Sequence, residues 1–210
     1  MRRLQVSSSS FAMRPEVDRL FFALWPDELT RAGLGAAAAH LRQRLRPVGR
    51  WVGAHRYHLT LHFLGDYPAY PAALVQRAVE AASRVHSQQF ELLMDQAGSF
   101  RNRAIPWWLG PAQPSQPLKQ LWRDLRDAMQ ELSVPYDTKL RLAPHVTVLH
   151  EADQMIAVTP VPAVRWKVDS FALIHSHLGA APAYRVLGTW PLVTDRPPES
   201  ASVQRDLWET

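Results

Sequence analysis

Two short segments of this chain carry the same pattern. Tyr57-His58-Leu59-Thr60-Leu61 and Pro144-His145-Val146-Thr147-Val148 each place a His-x-Thr core in an alternating apolar and polar run. They stand 87 positions apart, one in each half of the 210 residues. A period of two marks a β-strand, whose successive side chains point to opposite faces. His58 and Thr60 therefore share one face, and Leu59, Leu61 and Phe63 take the other. His145 and Thr147 likewise share a face, with Val146 and Val148 opposite. A fold that buries both apolar faces must still give the polar faces somewhere to point. Placed as neighbours, the two strands would bring two imidazoles and two hydroxyls into one cleft.

The rest of the sequence supports such an arrangement. Arg19 to Trp25 reads as a short apolar strand, broken by Pro26, and Asp27 is a ready N-cap for an alanine-rich helix running to about Leu45. Tyr57 to Leu64 is the first motif strand, closed by Gly65-Asp66, and Pro71 to Val85 reads as a helix. Strands are expected over Phe90 to Asp95 and Ala104 to Leu109, with a turn at Gly98 to Arg103. Ser115 to Leu132 has the clearest helical spacing, in Leu118, Leu121, Trp122, Leu125, Met129 and Leu132. The second motif strand, His145 to His150, follows Pro144, and Arg165 to His177 and Tyr184 to Leu192 are strand-like. Each motif strand follows a helix that itself follows a strand. The fold class is therefore α+β, with two pseudo-equivalent antiparallel lobes facing each other. The expected organisation is an N-terminal extension over 1–17, one domain over 18–193 and a polar tail over 194–210.

Composition narrows the chemistry. There are no cysteines, which excludes disulfides, thiolate metal sites and cysteine nucleophiles. No stretch approaches the length of a membrane helix, and the start lacks the apolar region of a secretory signal, so a cytoplasmic location is expected. The net charge of +5 is modest, but its distribution is uneven. No acidic residue lies between Glu28 and Asp66, whereas Arg31, Arg42, Arg44, Arg46, Arg50 and Arg56 all do. Such a segment suits a polyanion or, more plainly, a solvated helix end and loop.

Two convergent histidines and two threonines suit a phosphodiester. Histidine titrates near neutrality, so one ring can take a proton from water while the other gives one to a leaving sugar oxygen. Threonine hydroxyls can donate to non-bridging phosphate oxygens. The chemistry requires neither a metal nor a covalent intermediate. A single His-x-Thr on a strand is common and means little; the weight lies in two copies in matching context.

The residues resemble a known family. His58-Leu59-Thr60-Leu61 with Phe63-Leu64-Gly65, and Pro144-His145-Val146-Thr147-Val148, are similar to the paired signatures of the 2H phosphoesterase superfamily. Within it the chain resembles the bacterial RNA 2′,3′-cyclic phosphodiesterases, also called the 2′-5′ RNA ligase family. Arg19-Leu20-Phe21-Phe22-Ala23-Leu24, Arg50-Trp51-Val52, Trp108-Leu109-Gly110 and Trp190-Pro191-Leu192 extend the likeness, with Tyr184, from about Arg19 to Leu192. The resemblance implies a bilobal fold with a central cleft, and hydrolysis of a 2′,3′-cyclic phosphate to a 2′-phosphate. It implies that His58 is the general acid on O3′ and His145 the general base on water, with Thr60 and Thr147 holding the phosphate. RNA ends or small cyclic nucleotides are the implied partners, with no cofactor and no metal, and a monomer is expected. Run backwards, the same site would ligate RNA ends through a 2′-5′ bond; 2′,5′-oligonucleotide cleavage and RNA binding without chemistry are the other readings. Where relatives carry an arginine after the second motif, this chain has His150. Protonated His150, Arg103 or Arg141 are the candidates to replace it.

Other features were weighed against plainer roles. His58 and His62 stand four apart, but on a strand and without the glutamate of a zinc protease. His175 and His177 share a strand face with no third ligand evident in the sequence, and are expected as surface histidines. Trp107-Trp108 reads as core with some capacity to stack a base. Phe100, Arg101 and Arg103 fall in a turn able to reach a base or phosphate. No glycine-rich loop for ATP or a dinucleotide is present.

Overall fold

The computed structural model describes residues 16–113, 115–178 and 183–194. The proposed extension through residue 15 and the tail from residue 195 lie outside the described residues.

Among the described residues nine strands and three α-helices follow one another in the order β1 (Val17–Leu24), α1 (Glu28–Leu45), β2 (Arg50–Trp51), β3 (Leu59–Tyr67), α2 (Ala72–Ser83), β4 (Phe90–Ser99), β5 (Trp107–Gly110), α3 (Gln116–Glu131), β6 (Val146–His150), β7 (Thr159–Val168), β8 (Ser170–Leu178) and β9 (Ala183–Pro191). The strands run β7-β4-β5-β6-β3-β1-β8-β9, with β2 beside β6, and every pairing between them is antiparallel. The middle of this order is nearly severed. β3 and β6 share one residue pair, Leu59 with Val146. Two lobes result, β3-β1-β8-β9 and β7-β4-β5-β6-β2, which is the expected bilobal α+β architecture.

The helices begin as the sequence dictates. The Asp27 carboxylate accepts from the Thr30 N–H at 2.7 Å and caps α1, and the Ser115 hydroxyl accepts from the Leu118 N–H and caps α3. Each of these helices then crosses to the other lobe. α1, which follows β1, packs on β7. Gly33 makes the approach close, since a Cβ there would meet Val164 Cγ1 at 2.9 Å. α3, which follows β5, packs on β3 and α2. The buried side chains of both lobes thus form one continuous core, including Phe22, Leu34, Leu61, Trp107 and Leu125.

Three expectations are corrected. Arg165 to His177 is two strands, broken at Asp169, where the chain passes from one lobe to the other. β7 reaches back to Thr159 through Pro160 and Pro162; it is an edge strand, where proline is tolerated. Phe63 faces the cleft rather than the core. The β1–β3 ladder skips Leu61 and Leu64, and these bulges turn Phe63 outward while His62 turns into the core, 1% exposed.

His62 is held by α3. Its Nε2–H donates to the Trp122 carbonyl at 2.8 Å, the Trp122 Nε1–H donates to the Leu61 carbonyl at 2.9 Å, and the two rings stack at 4.8 Å. Burial pushes the His62 imidazole down to about 4, with the Trp122 carbonyl opposing this and Arg126 adding to it. The folded state thus resists a proton that the unfolded chain accepts below about pH 6.5. Stability is unaffected by this group above pH 6.5 and declines as pH falls from there to about 4. In urea denaturation, His62→Gln, which keeps a donor, should flatten that decline by about one proton's slope relative to the natural protein.

Candidate active site

The cleft lies where the two lobes meet. Leu59 and Val146 are fully buried, so the residues flanking them point the other way. Extending the antiparallel pairing by one residue in each direction sets His58 beside Thr147 and Thr60 beside His145. In that register the histidines take one diagonal and the threonines the other; His58, Thr60 and Thr147 line the cleft, while His145 is not among its lining residues and packs against Phe100.

Both histidines are anchored in the same way. The His58 Nδ1–H donates to the Arg56 carbonyl at 2.8 Å, and the His145 Nδ1–H donates to the Ala143 carbonyl at 2.6 Å. A carbonyl only accepts, so each ring carries its proton on Nδ1 and leaves Nε2 for a ligand. Aromatic rings hold them further. His58 packs against Phe21 at 4.9 Å, Trp25 at 6.0 Å and Tyr184 at 5.9 Å. Phe100 presents its edge to His145 at 4.8 Å and rests in turn on Trp108. Gly98 leaves room for that Trp108 ring, which a Cβ would overlap.

The cleft has a volume of about 700 Å³, and His58, Thr60, Thr147 and His150 line it. Arg19, Arg50 and Arg56 line it as well. Two of these cations are tied to carboxylates: Arg19 forms a two-pronged pair with Asp66 at 2.7 and 2.8 Å, and Arg50 lies 3.5 Å from Glu151. Arg56 has no carboxylate partner among the described residues. It donates to the Tyr184 hydroxyl at 3.1 Å and lies over the Tyr184 ring, and its Nε is buried without a hydrogen-bond partner. A half-buried guanidinium whose buried Nε–H is an unused donor, beside His58 and His150, favours an anion.

The same surroundings discharge the histidines. Burial pushes His58 down to about 4, and the charges of His145, Arg56 and His150 push the same way against the pull of the Arg56 carbonyl. Burial also lowers His145, opposed by the Ala143 carbonyl. His150 is lowered by burial and then by Arg50 and Arg56, with Glu151 opposing.

The sequence reading placed some of these residues and missed others. His150 does line the cleft, paired across β2 with Arg50. Arg103 is exposed in the turn between β4 and β5, and Arg141 donates to the Thr138 carbonyl; neither lines the cleft. Guanidinium groups come instead from Arg50 and Arg56, two members of the acid-free segment. The other arginines of that segment serve elsewhere: Arg31 lies over Trp25 and Arg42 over Trp51. Phe21 and Trp25 beside His58 were read only as strand residues, because their proximity depends on the β1–β3 pairing. Trp107 is buried in the core, as its apolar strand indicated.

The bilobal fold and the paired His-x-Thr strands match the pattern of the 2H phosphoesterases. Comparison with known proteins gives the same class. Residues 26–180 match the family model of the 2′-5′ RNA ligase superfamily. The chain is 32% identical over 183 residues to the RNA 2′,3′-cyclic phosphodiesterase of Escherichia coli, covering 84% of this chain and 98% of that protein. The protein of the same name from Thermus thermophilus is 30% identical over 186 residues, covering 83% and 90%. The crystal structure of E. coli LigT in apo form superposes with a TM-score of 0.70 at 30% identity, over 84% of this chain and 98% of that one. This chain belongs to the 2′-5′ RNA ligase superfamily.

The anion preference of the cleft can be read directly. In NMR pH titrations, His58 should titrate near 4 in the empty protein and move upward when inorganic phosphate is added. An unperturbed His58 with no response to phosphate would contradict the described surroundings.

Proposed function

We propose that the protein hydrolyses RNA 2′,3′-cyclic phosphate ends to 2′-phosphates, with His58 and His145 as acid and base. The observation that carries this reading is the pair of Nδ1-anchored histidines flanking the backbone pair that joins β3 to β6, with His58 in a cleft lined with arginine. In-line displacement at phosphorus needs a base on the side of attack and an acid on the side of departure, and a diagonal supplies both. The names of the E. coli and T. thermophilus relatives support the same substrate, and LigT structures complexed with 3′-AMP and with phosphate support a nucleotide phosphate in the cleft.

The cyclic phosphate sits between the motifs. Thr60 and Thr147 donate to its non-bridging oxygens, and Arg56 supplies charge through its unused donor. Arg50 and His150 extend the basic wall and take the place of the arginine that relatives carry after the second motif. His145 Nε2 removes a proton from water as the water oxygen bonds to phosphorus. The bond from phosphorus to O3′ breaks, and His58 Nε2–H protonates O3′. Water is consumed, and the two rings end with exchanged protonation states. His58 must arrive charged, which the empty cleft resists. The phosphate anion removes that penalty, since an opposite charge within a few ångströms favours the protonated ring. Binding therefore arms the acid.

The decisive experiment offers an RNA oligonucleotide with a 2′,3′-cyclic phosphate end and locates the phosphate in the product. A 2′-phosphate supports the reading; a 3′-phosphate or no turnover overturns it. His58→Ala and His145→Ala should each lower kcat by at least about 100-fold, as loss of an acid or base does. Full activity in both variants would exclude the mechanism. The pH profile has a determined sign. Productive binding to the free enzyme needs His58 charged and His145 neutral, and both are lowered there, so kcat/KM should peak below pH 6.5. Above that it falls as His58 loses its proton. In the bound complex the phosphate raises His58, and the kcat optimum should lie at higher pH than that of kcat/KM.

A further inference from the structure

The two histidines His175 and His177 acquire a third partner in the fold. β1 and β8 pair in an unbroken antiparallel register that sets Asp18 opposite His177, and Leu20 opposite His175. Asp18, His175 and His177 therefore share one face of the sheet. It is the opposite face to Val17, Arg19 and Phe21, which line the cleft. The Asp18 Oδ1 accepts from the His175 Nε2–H at 2.7 Å and from the His177 Nδ1–H at 3.0 Å. One nitrogen from each ring and one carboxylate oxygen all lie within 4.8 Å of one another.

We propose that Asp18, His175 and His177 bind a divalent transition-metal ion, zinc in the first instance, at a site separate from the catalytic cleft. Two imidazoles and a carboxylate are a ligand set that zinc takes in three-ligand sites, with water in the fourth position. Ligand bonds of about 2.0–2.1 Å in a tetrahedron set the ligand atoms roughly 3.3 Å apart. The present separations from Asp18 Oδ1 need to open by only a few tenths of an ångström. Binding uses His175 Nε2 and His177 Nδ1 as lone-pair donors, so the proton that each now gives to Asp18 moves to the other ring nitrogen or is released.

The setting suits an ion better than a surface pair does. The side chains of Asp18 and His175 are 14% and 13% exposed, and Tyr70 packs edge-on against His175 at 5.2 Å, fixing its ring. His177 is 33% exposed and leaves an approach for the ion and its water. The three ligands come from two strands only, so the ion clips β1 to β8. β1 carries Arg19 and Phe21 into the cleft on its other face. The clip is therefore structural in its first effect and independent of the proposed reaction.

The test must exclude zinc held by His58, His145 and His150 in the cleft. Chelator-stripped full-length protein carrying His145→Ala is titrated with zinc chloride by calorimetry, and its thermal unfolding is followed with and without zinc. One zinc per chain and a raised Tm are expected. Adding Asp18→Asn or, separately, His177→Ala should weaken binding at least tenfold and remove the rise in Tm. His177→Ala alters the most exposed ligand and decides the matter if Asp18→Asn does not fold. Substituted cobalt should give the visible absorption of a tetrahedral site in the His145→Ala protein and lose it in either double variant. No zinc binding to the His145→Ala protein, or binding undiminished by both further changes, overturns the proposal.

Discussion

Among the described residues one backbone pair, Leu59 with Val146, joins β3 to β6 where the two sheets meet edge to edge. Its side chains are fully buried, and that burial fixes the orientation of everything beside it. The residues one step away on both strands have no choice of face. Those residues are the two histidines and the two threonines. The placing of these groups is thus a by-product of register: slip either strand by one residue and that strand's histidine and threonine enter the core. Because the seam is a single pair, the sheets diverge on either side of it and leave room for a ligand where a continuous ladder would have closed the gap.

The cleft shows how a basic environment and a neutral imidazole can coexist. Burial and neighbouring cations lower His58, His145 and His150, and carbonyls on Arg56 and Ala143 fix the tautomer without restoring the charge. The positive charge that remains belongs to guanidinium groups, which do not titrate in this range. On the proposed mechanism, charge for holding an anion and protons for moving are therefore carried by different residues. His150 fits this division. In the arginine's place it offers a group that the empty cleft keeps neutral, with Arg50 directly across the ladder.

Much of this was legible in the sequence because the signals are local. Asp27 and Ser115 cap the helices they were expected to cap, and the period-two runs at both motifs placed the side chains on the correct faces up to Thr60 and Val148. Phe63 was misassigned because a bulge shifts the phase of a strand, and no residue type announces one. The break at Asp169 was hidden inside an apolar run, and the start of β7 behind two prolines that only an edge strand accepts. The site residues that sequence reasoning missed are non-local. Arg56 is set apart from the other arginines by Tyr184, 128 positions away, and Asp18 stands 157 positions from His175. Chemistry on one strand can be read from spacing; chemistry across strands requires the pairing.

The crossed helices have a consequence for the history of each molecule. α1 follows the first strand of the chain but covers β7, which begins at Thr159. α3 lies between the strands of one lobe yet seals the underside of β3, through His62 and Trp122, in the other. Only α2, which follows β3 and packs on β9, stays with its own lobe. A nascent chain that has emerged through the first motif still lacks the surface on which α1 comes to rest, and its first sheet waits for a helix not yet made. The second motif begins only at Pro144, so a chain that ends short of it, whatever RNA it encounters, lacks one histidine of the pair.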